Sequence, residues 1–341
     1  MGAEWALHRL LSGVAIDSAA GAAAFVAACL LLRPLIGWLR RKALLDRPNE
    51  RSSHSIPTPR GGGLAVTAVV LAVWAVGAGW QGPPAAWWMI LIAALLTLFS
   101  WRDDVGGLPV RLRLGAHFAA AIAGIALLPE GALIAQGWLP WWADRLVALL
   151  ALVWFINLYN FMDGIDGITG TEAAAIGIGI VALSLTNGQG AETEAAAIAG
   201  AALGFLVFNW HPAKIFLGDV GSVPLGFLIG MLLLTEAAHG QWAAALILPA
   251  YYLADATITL ARRAQAGEKV WQAHRTHFYQ RALRNGAPHS AVVRRIAFAN
   301  LLLIGLALLS IDHQIVALAG AALVVAGLLT WLVRMGRVVP P

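Results

Sequence analysis

The chain has 341 residues, 60% of them hydrophobic and only 12% charged, where soluble domains carry about a quarter charged residues. With a mean hydropathy of +0.74 this is the composition of a polytopic membrane protein. The formal charge of +5 therefore reads as the positive-inside rule rather than as nucleic-acid binding, and the single cysteine, Cys29, excludes an intrachain disulfide and a cysteine metal site.

A membrane helix needs roughly 20 apolar residues. Eleven such spans are expected, at about 18–38, 61–80, 85–101, 114–128, 145–161, 170–186, 194–210, 220–238, 241–261, 294–311 and 314–334. They make an all-α bundle in a single domain, 1–341. The segment Met1 to Asp17 lacks the basic start, apolar core and small-residue cleavage site of a signal peptide. Fifteen tryptophans suit membrane interfaces, and Trp138, Trp141 and Trp142 in the segment 129–144 read as an interfacial belt. Of 23 Lys and Arg, only Arg9 and Arg145 fall on the outer side if the N-terminus is outside. That asymmetry predicts an outer N-terminus, an inner C-terminus and five cytoplasmic loops: 39–60, 102–113, 161–169, 211–219 and 262–293.

Those loops hold the polar residues. Asp46 to Gly63 carries Arg51, His54 and Arg60, stiffened by prolines and suited to anionic lipid or phosphate. Trp101-Arg102-Asp103-Asp104 ends the third span, where the acids lie at the interface because charge at the bilayer centre is costly. Asn160-Phe-Met-Asp163-Gly-Ile-Asp166-Gly167 sets two carboxylates three residues apart, on one face if the turn is helical. Two anions so close call for a cation or a bound proton. Asn209 and Lys214 precede Phe216-Leu-Gly-Asp219-Val-Gly-Ser222, where Phe216 can stack on a base, Ser222 can cap the next helix, and the helix N-terminus favours a phosphate. His274-Arg275-Thr-His277 has two histidines at i and i+3 with no evident third ligand, and no His-Glu-x-x-His is present. Asp255 lies about two turns inside the ninth span, either paired in the bundle or facing the site. Taken singly, each motif has an ordinary structural explanation. Together they fall on one side, and that side is assigned independently from Lys and Arg.

In this order the pieces resemble the polyprenyl-phosphate N-acetylhexosamine-1-phosphate transferases, the glycosyltransferase 4 family. The matching pieces are Pro57-Thr-Pro-Arg60-Gly-Gly-Gly63, Asp103-Asp104, the Asn160 to Gly167 motif, Asn209, the Phe216 to Ser222 motif and the His274/His277 loop. The loop around His274 looks more like the branch that initiates O-antigen and common antigen than the muramoyl-pentapeptide branch, which has a run of consecutive histidines there. The resemblance implies transfer of a sugar 1-phosphate from a UDP-N-acetylhexosamine to undecaprenyl phosphate, in a bacterial inner membrane, with Mg2+ or Mn2+ as cofactor and a homodimer left open. By similarity Asp219 is the best metal ligand, with Asp104 and Asp166 as further candidates. Asp163 and Asp166 lie near nucleotide and metal, Phe216 stacks on uracil, and Asn160 and Asn209 lie on the substrate side. His274, Arg275 and His277 meet sugar or diphosphate, Asp103 or Asp104 faces the lipid phosphate, and either Arg111 or Arg113 stands where the muramoyl branch often has lysine.

The residues agree chemically. Attack of a phosphate on a phosphoanhydride sets anion against anion, so Mg2+ and the cations Arg51, Arg60, Lys214 and Arg275 must neutralise charge. The lipid phosphate is largely ionised at neutral pH, which favours direct attack; a two-step route through an aspartyl phosphate stays open. The alternative from another class is a secondary transporter of an anionic or nucleotide-linked substrate. It predicts polar residues at mid-membrane, and the second, third, sixth, seventh and tenth spans are nearly uncharged through their middles.

Overall fold

The computed structural model describes residues 2–46, 48, 56–79, 83–187, 192–269 and 274–335, with side chains from residue 11. Arg51 and His54 lie outside the described residues. The apolar runs fold as helices, because lipid leaves no other partner for their backbone N–H and C=O groups.

In chain order the helices are α1 (Gly2–Arg41), α2 (Gly63–Ala78), α3 (Pro84–Gly106), α4 (Val110–Ala126), α5 (Trp141–Phe161), α6 (Ile168–Asn187) and α7 (Thr193–Asn209). There follow α8 (Asp219–Glu236), α9 (Trp242–Ile247), α10 (Ala250–Gln265), the short α11 (Phe278–Arg284), α12 (His289–Leu309) and α13 (Gln314–Arg334). Proline at the N-terminal boundary of α3, α4, α5 and α12 starts those helices without a wasted donor. Between α1 and α2 a two-residue strand β1 (Leu45–Asp46) pairs antiparallel with β2 (Thr58–Pro59), a small addition to the all-α expectation. Among the described residues seven segments are long and apolar enough to cross a membrane, and α2 and α7 are shorter apolar helices.

Two expectations needed adjusting. The expected span 241–261 is not one helix: α9 ends at Ile247 and α10 begins at Ala250, because Pro249 lacks a donor and its ring blocks the preceding turn. The expected break before it is a π-helical turn, Ala237–Gln241, bent at Gly240 (φ 94°). The stretch 262–293, expected as a loop, contains α11.

The segment formed by α8 and α9, Asp219–Ile247, has 89% of its most apolar window buried, against 17% for α1. It is the axis, with α2, α3, α5 and α6 packed around it; α1 and α7 pair to one side, and α12 joins α6 to α13. Outward leucines such as Leu95, Leu98, Leu301 and Leu323 stay exposed, as a lipid-facing surface requires. Trp138, Trp141 and Trp142 are exposed together at the opposite end from the carboxylate loops. Arg145, one of the two outer cations by sequence, donates to the carbonyls of Pro129 and Ala132 and ties that segment to α5.

The tightest crossing on the axis is α2 on α8. A Cβ on Gly63 would collide with the Gly221 backbone, and one on Gly221 with Gly63 Cα. Backbone cannot yield as a side-chain tip can, so small residues are required at both positions. Gly63→Ala is expected to destabilise the protein by about 3 kcal/mol. Gly115→Ala, where an added Cβ meets nothing within 4 Å, is expected to leave stability unchanged. Thermal unfolding of the two purified variants in detergent checks the contrast.

Candidate functional site

A helix begins with four N–H groups that have no intrahelical acceptor. At the start of α8 the acceptor comes from α3: the Asp104 carboxylate takes the N–H of Asp219 (3.1 Å) and of Val220 (2.9 Å). Ser222, expected to cap this helix, instead donates to Asn160 Oδ1 at 2.6 Å. Arg60, just after β2, reaches both acids, at 2.8 Å from Asp104 and 2.6 Å from Asp219. Burial opposes its charge, but the two carboxylates outweigh burial and hold the guanidinium above its usual range. Arg113 of α4 lies 3.4 Å from Asp103 and 3.7 Å from Asp219. Of the two arginines left open by sequence, it is therefore Arg113 that faces the carboxylates, while Arg111 is exposed. Asn160 completes the group, its amide 3.5 Å from Asp219.

The two aspartates of the 160–167 turn do not share an environment. Asp163 accepts from Thr169 Oγ1 at 2.6 Å, and burial pushes its carboxyl up to about 6 against the opposing pull of Thr169 and Arg60. Asp166 accepts from the Ala213 N–H (3.1 Å) and contacts His211 Nδ1 (2.6 Å) and His289 Nδ1 (3.5 Å). Burial alone would raise it, but those partners outweigh burial and hold it below the usual carboxylate range. Asn209 is buried, with its oxygen on the Gly167 N–H and its nitrogen on the Ile215 carbonyl, both at 2.8 Å. Expected beside the nucleotide, it instead joins the loop of Asp166 to the loop of Phe216.

Asp255 is fully buried and paired. It accepts from His277 Nδ1 and the Phe278 N–H at 3.0 Å, the Tyr279 N–H at 3.4 Å, Tyr251 at 3.2 Å and Thr259 at 3.3 Å. His277 is thereby a buried anchor of α11, and His274 stacks on it with centroids 4.8 Å apart. Burial, with His277 and Arg263 nearby, pushes His274 down to about 4, so it meets a ligand as a neutral imidazole. Tyr279 closes the circuit: its hydroxyl donates to the Phe161 carbonyl at 3.3 Å and occupies the space a Gly164 side chain would need. Phe216 is half-buried on a backbone bridge to Arg60, Arg275 is half-buried, and Lys214 is exposed.

A cavity of about 420 Å3 runs between α3, α4 and α5 into this cluster. Its walls are Phe99, Leu114, Phe118, Leu150 and Trp154, and its polar end is Asp103, Arg113, Asn160 and Asp219. Sequence reasoning did not reach it, because its walls come from separate helices with no motif of their own. His211, His289, Thr169 and Tyr279 were not singled out either; only proximity to the motifs could have flagged them.

The donor chemistry separates two centres. Asp219 offers hard carboxylate oxygens, only partly offset by Arg60, which it shares with Asp104; Asn160 turns its nitrogen to Asp219 and its oxygen to Ser222, so within this group it is the Asp219 carboxylate that fits Mg2+. Asp104 spends both oxygens on the α8 N-terminus and so positions Asp219. Asp166, proposed with them from sequence, is held by two histidines instead.

The sequence description of Glycosyl transferase family 4 matches residues 86–237. The decaprenyl-phosphate N-acetylglucosaminephosphotransferase of Mycolicibacterium smegmatis is 28% identical over 75% of this chain and 74% of its own length. A Bacillus subtilis relative named "Probable undecaprenyl-phosphate N-acetylglucosaminyl 1-phosphate transferase" is 25% identical over 76% of this chain and 75% of its own. The phospho-N-acetylmuramoyl-pentapeptide-transferase of Moorella thermoacetica is 42% identical, over 37% of this chain and 43% of its own.

A carboxyl raised to about 6 in the fold from 3.8 binds more protons folded than unfolded between those values. Its contribution to stability is present below pH about 4 and lost as pH rises past about 6. Without added divalent metal, the thermal midpoint of the wild type is expected to fall over that window relative to Asp163→Asn. Parallel curves would contradict the assignment.

Proposed function

Because the chain belongs to the polyprenyl-phosphate N-acetylhexosamine-1-phosphate transferase family, we propose that it moves an N-acetylhexosamine 1-phosphate from a UDP-sugar to undecaprenyl phosphate, releasing UMP and starting a cell-surface polysaccharide. The observation that carries this reading is an apolar groove that ends on Asp103, Arg113, Asn160 and Asp219. A long lipid with a phosphate head needs such a surface: dry walls for its chain and a cation where its charge stops. The longer matches, to N-acetylglucosamine phosphotransferases, favour an N-acetylhexosamine over a muramoyl peptide as the donor sugar.

In this proposal Arg113 holds the lipid phosphate at the mouth of the groove. Asp103, whose carboxylate is fixed by Arg113 and by the Leu108 N–H, takes a residual proton from it. A phosphate oxygen attacks the sugar-bearing phosphorus of the donor. The new P–O bond forms as the bond to the bridging oxygen breaks, and UMP leaves with that oxygen. Arg60 faces the diphosphate, Asn160 and Ser222 hold Asp219 in place, and Phe216 stacks on the base. Asp219 would hold Mg2+, which when bound would neutralise the diphosphate and polarise it for attack. His274 offers a neutral donor or acceptor to sugar or diphosphate. His277, spent on Asp255, holds the loop in place. Direct attack fits the groove without a covalent carrier. The excess of Lys and Arg on the loop side supports a cytoplasmic active site in an inner membrane, with the chain crossing eleven times.

Purified protein with undecaprenyl phosphate, Mg2+ and a panel of UDP-sugars is expected to release UMP with one UDP-N-acetylhexosamine. Asp219→Asn is expected to lower that rate on the order of 100-fold while the protein stays folded. Transport of the UDP-sugar into proteoliposomes without UMP release would favour the transporter instead.

The groove makes a separate prediction. Burying a leucine is worth about 1.5–3 kcal/mol. Leu114→Gln is therefore expected to raise KM for undecaprenyl phosphate about 10-fold. KM for the UDP-sugar should stay put, and an equal rise in both would remove the groove from the acceptor site.

A further inference from the structure

Outside the Asp104–Asp219 centre, one cluster has a different chemistry. Asp166, His211 and His289 bring one ligand atom each within 4.8 Å of one another. They come from three places in the chain: the 162–167 turn, the loop after α7, and the first residue of α12. Both histidines set Nδ1 near the same carboxylate oxygen, Asp166 Oδ2, at 2.6 Å and 3.5 Å, and His289 Nδ1 also accepts the Asp166 N–H at 3.3 Å, a bond that an ion would replace. Their rings lie against each other, with centroids 4.7 Å apart. Asp166 and His289 are largely buried, whereas the His211 side chain is 40% exposed, which leaves one side open to solvent. The scaffold beneath is fixed: Asn209 bonds Gly167 to Ile215, and the Ala213 N–H bonds Asp166.

Two imidazoles and one carboxylate are a borderline-soft donor set. Mg2+ prefers oxygen and gives up its waters reluctantly, so it gains little from two imidazoles. Zn2+ and its neighbours in the first transition row bind this set readily, with metal–nitrogen distances of about 2.0–2.1 Å and an open position for water. Seating the three ligand atoms around one ion needs His211 Nδ1 to move away from Asp166 Oδ2 and the more distant atoms to draw together, an adjustment the exposed His211 can supply. We propose that Asp166, His211 and His289 form a second metal site, selective for Zn2+-like divalent ions over Mg2+, that clamps the 162–167 turn and the 211–218 loop to the head of α12. Binding through His211 Nδ1 replaces its hydrogen bond to Asp166. The clamp lies next to the loops that carry Asp163 and Phe216, so a bound ion would stiffen the nucleotide end of the site. The inference stands on the three ligands and does not depend on which reaction the protein catalyses.

The test is equilibrium dialysis of the purified full-length protein against Zn2+ in a large excess of Mg2+, with bound metal counted by mass spectrometry. One tightly held Zn2+ per chain is expected in the wild type and in His313→Gln, which removes a histidine distant in sequence. His211→Gln and His289→Gln are each expected to weaken it at least 10-fold, and Zn2+ should raise the thermal midpoint of the wild type but not of His289→Gln. If those variants do not fold, wild type loaded with Co2+ still decides: a visible d–d band of a four- or five-coordinate nitrogen and oxygen site supports the proposal. Absence of tight Zn2+ and of that band overturns it, leaving a hydrogen-bonded latch. So does a zinc count that both histidine variants retain.

Discussion

The contact on which the rest of the site depends is that of Arg60 with Asp104 and Asp219. Asp104 fixes where α8 begins by accepting its first two N–H groups, and Asp219 is the first residue of that helix. Arg60 then offsets both charges and draws the strand that carries it onto Phe216. Three distant stretches, after α1, at the end of α3 and before α8, are thereby placed by one guanidinium and two carboxylates. Removing the arginine would leave two acids side by side with only the looser Arg113, 3.7 Å from Asp219, as counter-charge, a costlier state than the intact cluster. Charge that elsewhere adds little to stability sets the geometry here because it is partly withdrawn from water.

The turn at 160–167 shows how environment divides equal residues. Asp163 has one hydroxyl donor and a buried position, so it holds its proton to about 6. Asp166, three residues on, has two imidazoles and a backbone N–H, so it stays ionised. Sequence presented them as a pair; the fold gives one to the α8 centre through the field of Arg60 and Asp219, and the other to the histidines. Asn209 fixes the Asp166 end of the turn by holding the Gly167 N–H and tying it to the Ile215 carbonyl.

Much of the bundle was legible because its signals are local. Apart from 241–261, which is divided between α9 and α10, each expected span falls on a helix, since long apolar runs have one solution in lipid. The break at Pro249 was legible in principle and was passed over because the flanking residues are uniformly apolar. The motif residues Asp103, Asp104, Asn160, Asp163, Phe216 and Asp219 are brought to one place, as motifs with glycine and carboxylate at fixed spacing suggest. What sequence could not supply was partnership. Whether Asp255 is anchored by His277, whether Arg111 or Arg113 faces the acids, and whether Asn209 contacts ligand or backbone all depend on contacts between residues far apart in the chain. The groove was hidden for the same reason: its walls share no motif, only a common surface.

The charge balance of the cluster bears on how the proposed reaction would be ordered. Arg60 and Arg113 face Asp103, Asp104 and Asp219, so the centre is one charge negative before any substrate arrives, and more so once Asp163 ionises above about 6. A lipid phosphate and a nucleotide diphosphate would each add negative charge to it. Two arginines already engaged with carboxylates cannot offset that, and Coulomb repulsion at these distances costs several kcal/mol in a site only partly open to water. A cation arriving with the donor diphosphate would resolve the difficulty. It would supply the missing charge, and Arg113, whose 3.7 Å contact with Asp219 is looser than its contact with Asp103, is the arginine placed to serve the acceptor.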